Sequence, residues 1–204
     1  MEIKNKKGLC IIISSPSGGG KTTLKNKIIE KFPEIKYSIS YTTRDSRENE
    51  VNNKDYNFVT QEQFNEMLEN NKFIEYAKVH SYMYGTGVEV LDYINQGFDV
   101  ILDIDIQGAE SIRKKIPDAV SIFTLPPCWS VLEQRLYNRE TDSKEVIENR
   151  LKQAKLEIQE YKKYDYILIN DNIEEAVCEF ENIIQVEKLK IKRVEVDLND
   201  FYSR

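Results

Sequence analysis

Residues that cross-link secreted domains or bind metals are scarce in this sequence. Its 204 residues include one histidine and three cysteines, Cys10, Cys128 and Cys178, which lie far apart. An odd number of widely spaced cysteines indicates neither a disulfide framework nor a zinc site. We therefore expect reduced thiols in a cytoplasmic protein.

Long apolar runs and an excess of positive charge are also missing. No apolar run reaches the length of about 20 residues that a membrane-spanning helix needs, and the run at residues 9–14 is too short for the core of a signal peptide. The net charge is -6 at pH 7, which argues against a nucleic-acid partner bound through a broad basic face. We expect no membrane or nucleic-acid partner, and an anionic ligand would need locally clustered cations.

The apolar residues that are present form short runs separated by amphipathic segments. Runs with the composition of strands buried on both faces occur at residues 9–14, 100–104, 119–125 and 166–170. Helical spacing of apolar residues occurs at 21–31, just after Gly108, and at 173–190. Strands that alternate with helices predict an α/β fold with a parallel sheet and helices on both of its faces.

Two stretches, residues 38–87 and 128–157, have the character of insertions into this frame. The first shows short strand patterns, one of them at 73–79, and a helix that Thr60 would cap. The second holds helical segments rich in both signs of charge. A further helix is predicted at 88–96. We predict a single domain whose core comprises residues 1–37, 88–127 and 158–204.

A glycine-rich segment follows the first apolar run and opens the first predicted helix. It comprises Ser15, Pro16, Ser17, Gly18, Gly19, Gly20, Lys21, Thr22 and Thr23. Glycines let successive backbone N–H groups converge on phosphate oxygens, and the helix N-terminus adds the positive end of its dipole. Lys21 would bridge the β- and γ-phosphates, and the hydroxyl of Thr22 would meet Mg²⁺. Ser15 stands where the usual pattern has glycine.

A glycine-rich hairpin or a plain helix entry is the alternative interpretation of this segment. The order of strand, loop and helix and the Gly-Lys-Thr ending favour a phosphate loop. The sequence therefore predicts that the protein binds a nucleoside triphosphate, and this loop alone leaves the second substrate open.

Two arginines, Arg44 and Arg47, follow in the first insertion. In one interpretation they belong to a solvated loop and pair with Asp45, Glu48 and Glu50, since exposed ion pairs are common and weak. In the other they form the local cluster of cations that an anionic substrate needs in an acidic protein. The surrounding sequence favours the second interpretation.

Several segments together closely resemble the guanylate kinase family. They are SISYTTRDSR at 38–47, DYNF at 55–58, FIEYA at 73–77, YGT at 84–86 and ILDIDIQG at 101–108. The resemblance extends from about residue 8 to about residue 184, with matching order and spacing. Asn49 and Asn53 stand where the family has glycines, and asparagine tolerates left-handed backbone.

The resemblance implies a binding site for GMP. The GMP phosphate would be held by Arg44, Arg47, Tyr56 and Tyr84. The Glu75 carboxylate would accept hydrogen bonds from N1–H and the 2-amino group of guanine. Ser40 and Thr86 would reach O6 and N7, and Asp105 would take the remaining amino hydrogen. Because adenine has a lone pair at N1 and no 2-amino group, the same carboxylate would reject AMP.

Asp103 and Asp105 end one of the predicted buried strands. Acidic residues in this place often cap the next helix, which here would begin near Gln107, and that alternative stays open for both. Beside a phosphate loop, Asp103 resembles a Walker B carboxylate. It would hold Mg²⁺-bound water, or orient Lys21 and an arginine of the substrate site.

The second insertion resembles the lid of guanylate kinases. Arg135 and Arg139 are four residues apart, and Arg150 begins the return segment. The resemblance implies that these arginines close over the transferring phosphoryl group, which also excludes water. A salt-bridged surface helix is the alternative. By the same resemblance Asn170 would lie near the adenine of ATP, while Glu140 stands where the family has glycine.

The resemblance implies that ATP and GMP, and also dGMP, react by direct in-line phosphoryl transfer to ADP and GDP or dGDP, in purine nucleotide metabolism and GMP recycling. A P-loop NTPase-type parallel-sheet core would carry a small mixed α/β GMP-binding lobe (38–87) and a helical lid (128–157). We expect a monomer or a homodimer. Two alternatives to the guanylate kinase function remain open: a catalytically inactive interaction module, and a P-loop kinase for another phosphorylated acceptor. For residues 188–204, an extra strand, a dimer contact and a loose tail are all open.

Overall fold

The structure is a computed structural model of the chain. It describes residues 3–5, 7–48, 50–79, 81–138, 144–196 and 202, and for residues 3–5 the backbone only. The helices are α1 (Lys21–Lys31), α2 (Gln61–Glu69), α3 (Glu89–Asn95), α4 (Ile106–Lys115), α5 (Trp129–Tyr137), α6 (Lys144–Gln159) and α7 (Ile173–Lys188). The strands are β1 (Ile3–Asn5), β2 (Cys10–Ser14), β3 (Lys36–Ser38), β4 (Tyr41–Thr42), β5 (Asn57–Phe58), β6 (Phe73–Val79), β7 (Tyr82–Gly87), β8 (Val100–Asp103), β9 (Val120–Leu125), β10 (Tyr166–Ile169) and β11 (Val194–Val196).

The predicted parallel sheet is confirmed. Its five strands lie in the order β10-β9-β2-β8-β3, and every pair in it is parallel. Ile13 in β2 is opposite Asp103 in β8 and Ile122 in β9. Because the carboxyl ends of these strands are in register, the segments that follow them meet at one edge of the sheet.

Helices cover both faces of this sheet, as the continuous apolar runs predicted. Ile11 and Ile13 face a core layer built with α1 and α7, while Cys10 and Ile12 face a second layer built with α3 and α4. This alternation follows from the two-residue period of a strand, which sends neighbouring side chains to opposite faces. The resulting two apolar layers fix the positions of the loops at the strand ends. Every helix within the described ranges is too short or too polar to cross a membrane.

The first insertion forms a second, mixed sheet in the order β5-β4-β7-β6. The predicted strand at 73–79 and the helix capped by Thr60 are both present, the latter with a capping box that also involves Gln63. Ile74 of β6 joins the core layer beneath α3 and α4, so this sheet is attached to the core through β6. Strand β7 was not among the sequence predictions, because glycines interrupt its alternation.

Gly85 in β7 lies directly against an aromatic pair. A Cβ atom at this position would lie 2.8 Å from the ring of Phe73. That ring stacks on Phe64 of α2 with 4.5 Å between the centroids. The strand can therefore pass this close to the aromatic pair only with glycine.

The C-terminal segment adds a strand that the sequence had left open. Strand β11 pairs antiparallel with β1, and α7 ends at Lys188 rather than at the predicted residue 190. The chain turns back there because Glu187 accepts hydrogen bonds from Lys190 and Arg193, and also from Tyr166 of β10. Burial alone would raise the pKa of Glu187. The hydrogen bonds from Lys190 and Tyr166 and the nearby positive charges outweigh burial, so the pKa of Glu187 is lowered overall. Glu187 therefore ties the C-terminal segment to the edge of the core.

We expect Glu187→Ala to reduce the free energy of unfolding by about 3 kcal/mol, because Arg193 and Tyr166 then lose a buried acceptor. Urea denaturation at neutral pH measures the change. The control Glu195→Ala removes an exposed carboxylate from β11 and should alter the free energy by less than about 0.5 kcal/mol. Equal effects of the two substitutions would contradict this account of the segment.

Candidate active site

The glycine-rich loop joins β2 to α1 in a conformation that needs glycine. Gly18 and Gly20 have φ angles of 84° and 83°, in the left-handed region, and the N–H of Gly19 donates to the Pro16 carbonyl at 2.9 Å. Helix α1 begins at Lys21 directly after Gly20. The first N–H groups of a helix have no partners within it, so they are available to an anion at this end of α1.

Side chains from two other elements hold the far side of the loop. Asn170, which is buried at the end of β10, points its amide nitrogen at the carbonyls of Gly19 and Gly20, 3.4 and 3.1 Å away. Arg135 of α5 donates to the Gly19 carbonyl at 3.4 Å and to the Asn170 carbonyl at 2.9 Å. A Cβ atom at Gly20 would lie 2.5 Å from the Asn170 amide nitrogen, so the clamp also requires glycine there.

Helix α6 contacts the near side of the loop. The N–H of Ser17 donates to the Glu157 carboxylate at 2.8 Å. A cavity of about 260 Å³ lies between the loop and the helix, and it is lined by residues 15–22, Val79, Asp105, Arg150, Gln153 and Glu157. Sequence reasoning missed Gln153 and Glu157. Their helical spacing from Arg150 was the signal available, because residues three and seven positions apart share a helix face.

Lys21 forms an ion pair with Asp103 at the edge of the sheet. Its ammonium nitrogen lies 2.6 Å from Asp103 Oδ1 and 3.2 Å from the Ile104 carbonyl. The pairing follows from the strand register, because the loop leaves β2 beside the strand that ends at Asp103. This ion pair is compatible with the prediction that Asp103 orients Lys21.

Glu75 lies in a cavity of about 220 Å³ on the other side of Lys21. The cavity is lined by Lys21, Ser40, Tyr56, Glu75, Ala77, Val79, Tyr84, Gly85, Asp103, Ile104 and Asp105. Glu75 is only 4% exposed. It is opposite Thr86 in the pairing of β6 with β7, and the Thr86 hydroxyl donates to its carboxylate at 2.6 Å. Burial raises the pKa of Glu75, and the bond from Thr86 opposes that rise.

Asp105 caps α4 and also faces Glu75. Its Oδ1 accepts from the N–H of Gly108 at 2.8 Å, so the capping alternative is correct for Asp105. A Cβ atom at Gly108 would lie 3.1 Å from both this oxygen and Glu75 Oε2. The two carboxylates thus converge on one point, and the charge of Asp105 adds to the burial that raises the pKa of Glu75.

The arginines of the first insertion differ from each other. Arg44 makes a two-point contact with Glu50, at 2.8 and 2.9 Å, so the alternative that it pairs with a nearby acid is correct in this structure. Burial opposes its charge, but the bonds to Glu50 and Tyr84 raise the pKa of Arg44. Its guanidinium also lies 5.5 Å from the ring centre of Tyr56. The Arg47 side chain is exposed, and the backbone N–H of Arg47 donates to the Glu50 carboxylate.

The two cavities adjoin, since Lys21, Val79 and Asp105 line both. Of the predicted lid arginines, Arg150 lines the loop cavity, Arg135 holds the loop carbonyls, and Arg139 lies outside the described residues. Thr22 also lines the loop cavity, whereas Thr23 is an exposed residue of the first turn of α1. Within the described ranges no group of three or more His, Cys, Asp or Glu side chains is placed to hold a metal ion.

Comparison with known proteins gives a consistent result. The family model described as guanylate kinase matches residues 7–187. The chain is 42% identical to the guanylate kinase of Geobacter sulfurreducens over 97% of its length and 98% of that protein. It is 45% identical to that of Caldanaerobacter subterraneus subsp. tengcongensis, over 95% and 94%.

A solved structure agrees with the sequence comparisons. The crystal structure of guanylate kinase from Anaplasma phagocytophilum superimposes with a TM-score of 0.83 at 34% identity, over 100% of this chain and 97% of that one. Family, identity and fold therefore extend over nearly the whole chain, including both cavities. The chain belongs to the guanylate kinase family and is a nucleoside-monophosphate kinase, a phosphotransferase.

Proposed function

We propose that this chain transfers the γ-phosphoryl group of ATP to GMP, with ATP in the loop cavity and GMP in the cavity around Glu75. The observation that carries the proposal is that the two cavities meet at Lys21. A donor and an acceptor bound in adjoining cavities can be held in line for direct transfer. The acceptor phosphate is already ionised, so this transfer needs no general base.

Guanine recognition would rest on Glu75. Its ionised carboxylate can accept the N1–H and 2-amino hydrogens of guanine. Because Glu75 is buried, a base without these donors would leave the carboxylate unpaired, which costs binding free energy. Asp105 converges on the same region and can take the second amino hydrogen. Ser40 lines the cavity and would reach the base. Thr86 donates its hydroxyl hydrogen to Glu75 in this structure, which supports a role in orienting the carboxylate alongside its predicted contact with the base.

The GMP phosphate would be bound by Arg44 and Arg47 together with Tyr56 and Tyr84. Tyr56 and Tyr84 line the cavity, and their rings lie 6.0 Å apart. Glu50 fixes the orientation of Arg44, which leaves less side-chain freedom to lose on binding. These groups address base and phosphate rather than the sugar, so we extend the proposal to dGMP.

The triphosphate of ATP would lie against the loop. Its proposed ligands are Ser15, Pro16, Ser17, Gly18, Gly19, Gly20, Lys21, Thr22 and Thr23, with Asn170 near the adenine. The N–H groups at the start of α1 would bind phosphate oxygens. Lys21, oriented by Asp103, would neutralise charge on the β- and γ-phosphates.

Mg²⁺ would be held by the hydroxyl of Thr22. Mg²⁺ commonly takes few protein ligands and completes its shell with phosphate oxygens and water, so the hydroxyl of Thr22, in a cavity that Asp105 also lines, fits it. The bound ion supplies charge neutralisation at the phosphates. Asp103 would orient its water or, as here, Lys21.

Residues 38–87 would act as the GMP-binding lobe and 128–157 as a lid on the remaining core. Lid closure would bring Arg135, Arg139 and Arg150 toward the transferring phosphoryl group and exclude water. We further propose a cytoplasmic protein that works as a monomer or homodimer. An inactive interaction module would not need a lysine where the two cavities meet, the position that Lys21 occupies.

Glu75→Gln should lower kcat/KM for GMP by about 100-fold, because an amide offers a donor where the base also donates. The raised pKa of Glu75 means that ionisation costs stability at neutral pH, so the same substitution should raise the melting temperature. Coupled ADP-release assays with GMP and AMP, and thermal unfolding, measure both effects. Glu69→Gln, in α2 and exposed, is the matched control and should change neither. Preferred use of AMP by the unaltered chain would refute the assignment.

The activity should depend on pH through Glu75. Because burial raises its pKa, the carboxylate gains a proton at a higher pH than an ordinary glutamate, and kcat/KM for GMP should fall as the pH drops through that value. Thr86→Val removes a bond that lowers this pKa, so the acidic limb of the profile should move to higher pH. A limb that stays in place or moves to lower pH would be inconsistent with the role of Thr86.

Lys21→Ala should reduce kcat by about 1,000-fold or more, because the cation between the two cavities is lost. GMP affinity, measured by calorimetry, should change far less. Lys27→Ala serves as control, since Lys27 lies on the same helix and pairs only with Glu30 among the described residues. Activity retained in Lys21→Ala would mean that Lys21 does not act on the transferred group.

A further inference from the structure

We infer that Glu157 is a positioning residue of the phosphate loop: its carboxylate binds the N–H of Ser17 and so sets the loop and α6 for ATP. Neither residue pattern nor family resemblance had assigned it a role. The inference rests on the proposed function of the loop cavity and adds a residue to it.

The contact is unusual among those that hold the loop. Arg135 and Asn170 take loop carbonyls as their acceptors. Glu157 instead accepts from the Ser17 N–H, 140 positions away in sequence, at 2.8 Å. Among the described residues this is the one side-chain bond to a loop N–H before α1. It fixes the first half of the loop, while the clamp on Gly19 fixes the second.

The position of Ser17 shows why the bond is compatible with ATP binding. A carboxylate beside a triphosphate is unfavourable in itself, because like charges repel. The N–H that it occupies, however, precedes Gly18, where the backbone turns with φ of 84°. The N–H groups that start α1 at Lys21 are left for the phosphates. Glu157 therefore occupies the backbone N–H of Ser17 alone and leaves the N–H groups at the start of α1 to an anion.

The same bond fixes the lid helix. Arg150 lies seven residues before Glu157, almost on the same helix face and about 10 Å along the axis. Both line the loop cavity, with Gln153 between them. Anchoring Glu157 to Ser17 therefore sets the distance at which Arg150 lies from the loop. The C-terminal end of α6 is therefore the point at which this helix is attached to the loop.

Affinity for ATP with Mg²⁺, measured by calorimetry without GMP, tests the inference directly. Glu157→Ala should weaken binding about 10-fold and raise KM for ATP by a similar factor, since a charge-assisted hydrogen bond is lost, while KM for GMP stays within about twofold. Glu157→Gln keeps an acceptor oxygen for Ser17 and should recover most of the affinity. Glu148→Ala removes the same charge about 180° around α6 and should behave as the unaltered chain.

The ATP affinity of Glu157→Ala can overturn the inference in two ways. Unchanged ATP affinity in Glu157→Ala would overturn the inference, and tighter binding would overturn it by showing that the carboxylate only opposes the phosphates. Should the alanine variant fail to fold, Glu157→Asp replaces it. If Glu157 positions the loop, Glu157→Gln should bind ATP more tightly than Glu157→Asp. The reverse order would show that only the charge matters and would overturn the inference. Failure of the proposed function would appear differently, as no GDP formed from GMP by the unaltered chain.

Discussion

A glutamate buried where two sheets meet is the constraint on which the rest of the site depends. Glu75 is 4% exposed, receives the hydroxyl hydrogen of Thr86, and has the carboxylate of Asp105 close by. Such an arrangement is costly for an unliganded protein, because burial and a like charge both disfavour the ionised form. Under the proposed function, a purine that presents two adjacent hydrogens to this point would relieve that cost, and one that presents a lone pair would increase it. Selectivity would then arise from the cost of the unliganded state.

The parallel sheet explains why this acceptor site lies beside a phosphate loop. Register between β2 and β8 puts the start of α1 against Asp103, and β6 is packed on the same core layer through Ile74. Both cavities therefore open at the carboxyl edge of one sheet, as is general for ligands of open α/β folds. In a protein of net charge -6, cations from four segments lie in or next to these cavities. Lys21 and Arg150 line them, Arg44 lies against Tyr56, and Arg135 holds the loop.

Much of this could be predicted from the sequence, for identifiable reasons. Four of the five strands of the parallel sheet are continuous apolar runs, and α1 is bounded by Gly20 and Phe32, so apolar period and helix-end residues located these elements correctly. Strand β3 has no such run and was not predicted as part of this sheet. Asn53 has φ of 62°, as its place in a glycine position suggested. The capping role of Asp105 was foreseen as an alternative. The family resemblance, rather than periodicity, pointed to Glu75 and its neighbours.

Other features depend on contacts between distant residues, which no local pattern reports. Strand β7 breaks its alternation at Gly85 because an aromatic pair leaves no room for a side chain. The turn after α7 depends on Glu187 meeting Tyr166. The bond from Ser17 to Glu157 joins residues 140 apart, and the face of α6 that carries it was visible only as helical spacing.

A crystal structure of the chain with GMP bound is the most direct test of the account. Both carboxylate oxygens of Glu75 should lie within hydrogen-bonding distance of guanine N1 and N2, roughly 2.7–3.2 Å, with the GMP phosphate on the Lys21 side of the cavity. A base bound elsewhere, or a Glu75 side chain turned away from it, would contradict the account.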